Sequence, residues 1–170
     1  MKKPQIKIMS EELLPKRGDY LNSQQLVAES KKQNTPLSRK TLHNYIRDKI
    51  LPKASHVSNE ALFHKQFYLA EIKGIHTLRS IFHVKYDDLI KLAANKYANL
   101  YEITNTTNSI LDYFHGINIG KASRRPLLVN ISNDEFLQKV AAAFLDEMKK
   151  GADFNKIDIK KFIQEIMDKG

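Results

Sequence analysis

Apolar residues recur at intervals of three and four through most of this 170-residue chain. The pattern is clearest between Phe136 and Met148 and again between Ile159 and Ile166, where apolar side chains fall on one face of a helix. Because 42% of the residues are apolar, helices of this kind can bury a core by packing on one another. The periodicity therefore predicts a mainly α fold.

Capping and breaking residues place the predicted helices along the chain. Ser23 and Ser38 are good N-caps, Pro52 stops the second helix, Gly74 ends the third, and Thr77 caps a short element. The predicted helices cover residues 23–30, 38–49, 64–73, a short element from 77, 87–113, a helix that starts at a capping box over Ser132–Glu135 and ends at Gly151, and 157–167. Residues 116–129 predict a loop between the helix over 87–113 and the helix that follows it. Residues 51–63 predict a hairpin or an extended loop, and residues 1–19 predict a mobile arm because they show no sustained period.

The positive charge of the chain is confined to its first half. Residues 1–85 hold 16 Lys and Arg against 7 Asp and Glu, giving 16 − 7 = +9, whereas residues 86–170 hold 12 of each. A uniformly solvated basic surface would more often spread this charge over the whole chain. The concentration therefore indicates two modules, one of which faces a polyanion.

One predicted helix carries the residue types that read DNA. Between Ser38 and Lys49, the side chains of Lys40, His43, Asn44 and Arg47 lie at i, i+3, i+4 and i+7, which is one helix face. Lys and Arg can donate to guanine, and Asn can form two hydrogen bonds with adenine, so this face suits the DNA major groove. On these residues alone, a solvated basic helix face is an equally good interpretation.

The first half of the chain also resembles the winged helix-turn-helix domain of the MerR family of transcriptional regulators. The resembling segments lie within residues 20–93 and are a helix from Ser23, the helix segment Ser38-Arg-Lys-Thr-Leu-His-Asn-Tyr45, Ile50-Leu51-Pro52, and a helix through Leu69–Ile75 followed by Leu78 and Ile81. His43 and Asn44 stand where the family has Arg and Tyr, the turn before Ser38 is longer, and the wing lacks Gly-Tyr-Arg. The resemblance implies a recognition helix and a wing, but does not carry over promoter twisting.

The candidate DNA-binding residues follow from the helix face and the resemblance together. On the helix they are Arg39, Lys40, His43, Asn44, Tyr45 and Arg47. On the wing they are Lys53, His56 and Asn59. Of the helix residues, Lys40, His43, Asn44 and Arg47 are expected to face the bases, and the wing residues are expected to track phosphates.

A second pattern predicts self-association. Within residues 86–115, alternating steps of four and three describe a heptad seam that includes Lys96 and Thr107, and its apolar members are Leu89, Ala93, Leu100, Ile103, Ile110 and Phe114. The resemblance independently implies an antiparallel dimerisation helix here. We therefore expect an arm over 1–19, a DNA-binding domain over 20–85, a dimerisation helix over 86–115 and a C-terminal helical domain, in the form of a hairpin, over 116–170.

Other chemistries lack the residues that they need. Without cysteine there is no disulfide or thiolate metal site, and the six histidines show no metal-binding spacing, so we expect neither a metal nor another cofactor. The Gly116–Ser123 segment has three residues between its glycines and Ala122 after the lysine, which a phosphate-binding loop does not allow. We expect no enzyme activity, no membrane association and a cytoplasmic location.

These observations predict a sequence-specific regulator of transcription that binds double-stranded DNA as a homodimeric repressor. One alternative is a helical adaptor whose C-terminal hairpin binds a protein. Another is an architectural DNA-binding protein of plasmid partition or phage excision, which would share the same fold. The C-terminal hairpin is also a candidate site for a protein or small-molecule effector.

Overall fold

The computed structural model describes residues 17–57, 59–119 and 134–169, which form seven α-helices and three short strands. In chain order these are β1 (Tyr20–Leu21), α1 (Ser23–Lys32), α2 (Arg39–Arg47), β2 (Ser55–Val57), β3 (Glu60–His64), α3 (Lys65–Ser80), α4 (Tyr86–Ala93), α5 (Leu100–Ile119), α6 (Asp134–Lys149) and α7 (Ile159–Lys169). The prediction of a mainly α fold is confirmed. Most of the predicted arm, residues 1–16, lies outside the described residues, and Arg17–Asp19 form a short 3-10 turn.

Side-chain caps set the starts of the first two helices. Asn22 caps α1 by accepting from the backbone of Gln25, whose side chain accepts from the Asn22 backbone in return. The cap thus lies one residue before the predicted one, and Ser23 is the first residue of the helix. Ser38 caps α2 as predicted, through a 3.0 Å bond from the Thr41 amide. The turn between the helices is longer than usual, and the buried Thr35 hydroxyl holds it by donating to the Ser30 carbonyl at 3.0 Å.

A small antiparallel sheet follows α2, in the strand order β1-β3-β2. Of the hairpin and the extended loop that residues 51–63 left open, the structure has the hairpin: Val57 pairs with Glu60, and Asn59 in the tight turn has a φ of 65°. Tyr20 pairs with His64, which attaches the segment before α1 to the other side of β3. The sheet thus joins the two ends of the segment that contains α1 and α2.

Helix α3 does not end at Gly74 as predicted, and Thr77 lies within it instead of capping a new element. Gly74 is the point where α3 crosses α5. A Cβ at this position would lie 3.2 Å from the Leu100 carbonyl oxygen and 3.2 Å from the Tyr101 Cα. The Thr104 hydroxyl also bonds the Gly74 carbonyl at 3.2 Å. This glycine therefore serves close helix packing, for which the sequence signal is the same as for a helix end.

The single long helix predicted over 86–115 is two helices, and two asparagines account for the break. Asn95 is buried, accepts from the Tyr97 amide at 2.8 Å, and donates to the carbonyls of Met148 and Ala152 at 3.1 and 3.2 Å. Asn99 forms a reciprocal cap with Glu102, so that α5 begins anew. The Asn-x-x-Glu spacing was a sequence signal for this second start.

The interpretation of the heptad positions as a dimer seam is wrong for the side chains that the structure describes fully. Their exposed fractions are Leu89 0%, Leu100 1%, Ile103 0% and Ile110 2%. Ala93 is half-buried against the same core, and the Phe114 side chain lies outside the described residues. Two helices that pack on one core show the same spacing of apolar residues as a supercoiled dimer seam. The spacing alone therefore could not distinguish the two arrangements.

The C-terminal part packs onto this core. Helix α6 contacts α4 and α5, and the helix end predicted at Gly151 is confirmed by its φ of 82°. The final helix predicted over 157–167 is confirmed as α7, which contributes Ile163 to the core. The predicted loop from Gly116 starts instead within α5, and its remainder, with the cap at Ser132, lies outside the described residues.

Replacing Asn95 by alanine should lower the free energy of unfolding by about 2 kcal/mol. The substitution removes the side-chain donor to the Ala152 carbonyl and the acceptor of the Tyr97 amide, whereas the Met148 carbonyl keeps its bond from the Gly151 amide. Asn105→Ala, an exposed site within α5, is the matched control and should change stability by less than about 0.5 kcal/mol. Urea unfolding measures both, and equal midpoints for the two variants would contradict this role of Asn95.

A buried carboxyl group joins α3 to the start of α5. Glu71 is 3% exposed and accepts from the amides of Leu100 and Tyr101 in the first turn of α5. Burial raises the pKa of Glu71 to about 7, from 4.5, more than these amide bonds lower it. The unfolded chain thus loses this proton at lower pH than the folded chain, so that folding stability falls as the pH rises from about 4.5 to about 7.

Replacing Glu71 by glutamine should therefore stabilise the protein at pH 8 by up to roughly 3 kcal/mol and have little effect at pH 4. Glutamine keeps an acceptor for the Tyr101 amide but cannot ionise. Glu165→Gln, an exposed site on α7, is the control for the loss of a charge. The measurement is thermal or urea unfolding at both pH values, and a gain of the same size at both would show that ionisation of Glu71 is not the cause.

Candidate nucleic-acid interface

Helix α2 has one buried face and one exposed face. Leu42 is fully buried and Tyr45 is 5% exposed, so these two side chains fix the rotation of the helix on the core. As a result Arg39, Lys40 and His43 are exposed. The structure thus places three of the predicted DNA-binding residues together on the outer side of α2.

Tyr45 is not one of these outward residues, and its assignment to DNA binding is wrong. Its ring stacks on that of Tyr86, with the centroids 6.2 Å apart, and its hydroxyl accepts from Arg79 at 3.1 Å. The Arg79 guanidinium also lies 6.0 Å from the centre of the Tyr86 ring. Tyr45 therefore anchors the C-terminal half of α2 to the last turn of α3 and the start of α4.

Arg47 at the end of α2 is exposed but paired. Its guanidinium donates to the Asp48 carboxylate from Nε at 3.0 Å and from Nη2 at 3.1 Å. The Tyr86 hydroxyl donates to the same carboxylate, which gives Asp48 partners on two elements. One cation of the predicted helix face of Lys40, His43, Asn44 and Arg47 is therefore neutralised by Asp48. The surface at α2 carries less net positive charge than its composition suggests.

These contacts shift the pKa of all three groups. The bond from Arg47, followed by that from Tyr86, lowers the pKa of Asp48, and the same pairing raises the pKa of Arg47. Burial, followed by the bond to Asp48, raises the pKa of Tyr86 to about 12. Asp48 is therefore a carboxylate, and Tyr86 a neutral donor, throughout the physiological range.

Asn44 lies between the two faces of α2. Its side chain is half-buried, and its backbone carbonyl accepts from the Tyr86 hydroxyl at 3.4 Å. Asn44 is thus nearer to the core than Lys40 and His43, and its helical position alone did not show this.

The hairpin residues Lys53, His56 and Asn59 are all exposed. The start of the hairpin is fixed by the buried Tyr68, whose hydroxyl donates to the carbonyls of Pro52 and Lys53 at 2.9 and 3.0 Å. The backbone at Lys53 is therefore attached to α3, while its side chain extends to solvent. Sequence reasoning missed Tyr68 and Tyr86 because their partners lie 15 to 42 residues away.

The segment from β1 to β3 keeps a positive balance after pairing. Residues 20–64 hold 7 Lys and Arg against 3 Asp and Glu, a difference of 7 − 3 = +4. Lys32 pairs with Glu29, and Arg47 with Asp48. The cations of this segment that form no ion pair with any described residue are Lys31, Arg39, Lys40, Lys49 and Lys53.

Among the residues that the structure describes, no three His, Asp or Glu side chains lie close enough to hold a metal ion. Within the same part of the chain, no helix has the length and apolar character that a membrane crossing requires. Comparison of the sequence with protein-family models, curated proteins and solved structures found no match. The candidate site is therefore argued from its own geometry.

Replacing Tyr86 by phenylalanine should raise the pKa of Asp48 towards its ordinary value. The variant keeps the aromatic ring beside Tyr45 but removes the hydroxyl that donates to the carboxylate. An NMR titration of the Asp48 carboxyl carbon measures the change, with Tyr101→Phe on α5 as the control. An unchanged Asp48 pKa in the Tyr86 variant would show that the hydroxyl does not stabilise this carboxylate.

Proposed function

We propose that this protein is a sequence-specific, double-stranded-DNA-binding regulator of transcription that acts as a homodimeric repressor. In this proposal α1 and α2 form a MerR-like helix-turn-helix, β2 and β3 form its wing, and α2 enters the major groove. The observation that carries the proposal is the outer face of α2, where Arg39, Lys40 and His43 are exposed on a helix anchored by Leu42 and Tyr45.

The exposed side chains of this surface suit DNA better than other anions, because some can contact base edges and others phosphates. Lys40 can donate to guanine, and His43 can bond a base edge or a phosphate oxygen, on a helix narrow enough for the major groove, which is about 12 Å wide. Lys49 and Lys53 follow the helix without acidic partners among the described residues and can hold phosphates. Fixed backbone contacts at Ser38 and Tyr68 orient both parts before DNA arrives.

A homodimer follows from the size of the reading element. One short recognition helix contacts only a few base pairs, so a second copy on a two-fold site supplies the remaining specificity. The buried heptad positions do not provide the contact, and the dimer surface must use other residues. Repression requires no further activity, because a protein bound over a promoter excludes polymerase. The proposal places the protein in the cytoplasm with the DNA that it regulates.

Selection of binding sites from random duplexes with the full chain tests this function. We expect a single motif with two-fold symmetry. Binding of all duplexes alike would contradict sequence-specific recognition and favour the architectural alternative. Sedimentation of the protein with and without the selected duplex then counts the copies bound.

Variants of α2 should weaken binding to the selected duplex. Lys40→Ala and His43→Ala are each expected to reduce affinity about 10-fold, whereas Lys53→Ala should weaken all duplexes alike and flatten the dependence on salt. Lys160→Ala, an exposed lysine on α7, removes the same charge away from this surface. Fluorescence anisotropy at fixed salt gives the affinities, and equal losses for Lys40→Ala and Lys160→Ala would refute the assignment of α2.

A further inference from the structure

The pairing of Arg47 with Asp48 has a definite geometry at the end of α2. The two bonds run in parallel from Nε to Oδ1 and from Nη2 to Oδ2, at 3.0 and 3.1 Å. The carboxylate is therefore bound along the side of the guanidinium. The Arg47 side chain is 69% exposed and that of Asp48 only 23%, so the arginine forms the outer member of the pair.

This geometry leaves one edge of the guanidinium free. Arginine carries five N–H donors, and the side-on pairing uses one on Nε and one on Nη2. Both donors of Nη1 and the second of Nη2 have no partner among the described residues, and one N–H from each of these nitrogens forms the end of the fork. Two parallel donors at this spacing match the O6 and N7 acceptors that guanine presents in the major groove.

The carboxylate also decides against a phosphate contact. Asp48 cancels most of the charge of Arg47 and repels phosphate oxygens, so the pair gains little from the negative DNA backbone. A base edge is uncharged and is read by the direction of its hydrogen bonds. Of the two DNA groups that an arginine commonly contacts, the pairing favours the guanine edge.

A third contact holds the pair in place before DNA binds. The carboxylate of Asp48 lies at the C-terminal end of α2, where the helix dipole disfavours negative charge. The bonds from Arg47 and from the Tyr86 hydroxyl compensate for this position. Arg47 is thus oriented in the free protein, which reduces the loss of side-chain freedom on binding.

We propose that Arg47 reads a guanine through the free end of its guanidinium and that Asp48 is the residue that positions it. This inference rests on the proposed entry of α2 into the major groove and adds the base that one position of the site must contain. It also assigns a role to Asp48, which the exposed basic face of α2 does not include.

The test replaces each guanine of the selected duplex in turn with 7-deazaguanine, which lacks the N7 acceptor. The wild-type protein should lose about 10-fold in affinity at one guanine of each half-site. Arg47→Lys keeps the charge without the fork. This variant should bind the selected duplex and its 7-deazaguanine form equally well. Asp48→Asn should reduce the discrimination to about 2-fold and raise affinity for an unrelated duplex, because a repulsive charge is lost.

The change in affinity for the unrelated duplex distinguishes a positioning role of Asp48 from a structural role. If Asp48 only stabilised α2, its replacement would weaken binding to the selected and the unrelated duplex together, and that result would overturn the proposal. Glu165→Gln removes a carboxylate from α7 and controls for net charge. Full discrimination by Asp48→Asn or by Arg47→Lys would likewise refute it while leaving the proposed function standing. A wild-type protein that selects no sequence would refute both.

Discussion

Helices α3 and α5 approach so closely at Gly74 that a Cβ there would meet the backbone of Leu100 and Tyr101 at 3.2 Å. Both parts of the molecule are attached to this pair. On one side, Tyr68 of α3 holds the start of the hairpin and Arg79 reaches Tyr45 of α2. On the other side, α5 packs against α6. The position of the candidate interface therefore depends on a helix crossing that lies outside it.

The polar contacts at this crossing have opposite effects on stability. The Thr104 hydroxyl shares its one donor between the carbonyls of Leu100 and Gly74 and needs no charge to do so. Glu71 also satisfies amides, at the start of α5, but it is buried with a pKa raised to about 7. At neutral pH part of the folded population thus carries a buried negative charge. The chain gains a fixed start for α5 through this carboxyl group, at the cost of pH-dependent stability.

The parts of the fold that were predictable are those encoded by neighbouring residues. The cap at Ser38, the hairpin over 51–63 and the end at Gly151 each depend on contacts within a few positions, and the structure has all three. Gly74 and the heptad residues were misinterpreted because their roles depend on a partner helix. A glycine marks a helix end or a close crossing, and a spacing of three and four marks a dimer seam or a protomer core. Only tertiary structure distinguishes them.

The same limit applies within the candidate site and changes what its charge means. Sequence reasoning found the outer face of α2, but counted Arg47 with Lys40 as equivalent cations. Their surroundings differ, because Arg47 is neutralised by Asp48 and held through Tyr86, 38 residues further on. Lys40 and Lys53 have no acidic partner among the described residues. In the proposed complex, attraction to DNA therefore comes from Arg39 and the lysines that have no acidic partner among the described residues, while the paired Arg47 offers directed donors with little net charge. A basic patch thus divides into groups that attract and a group that can discriminate.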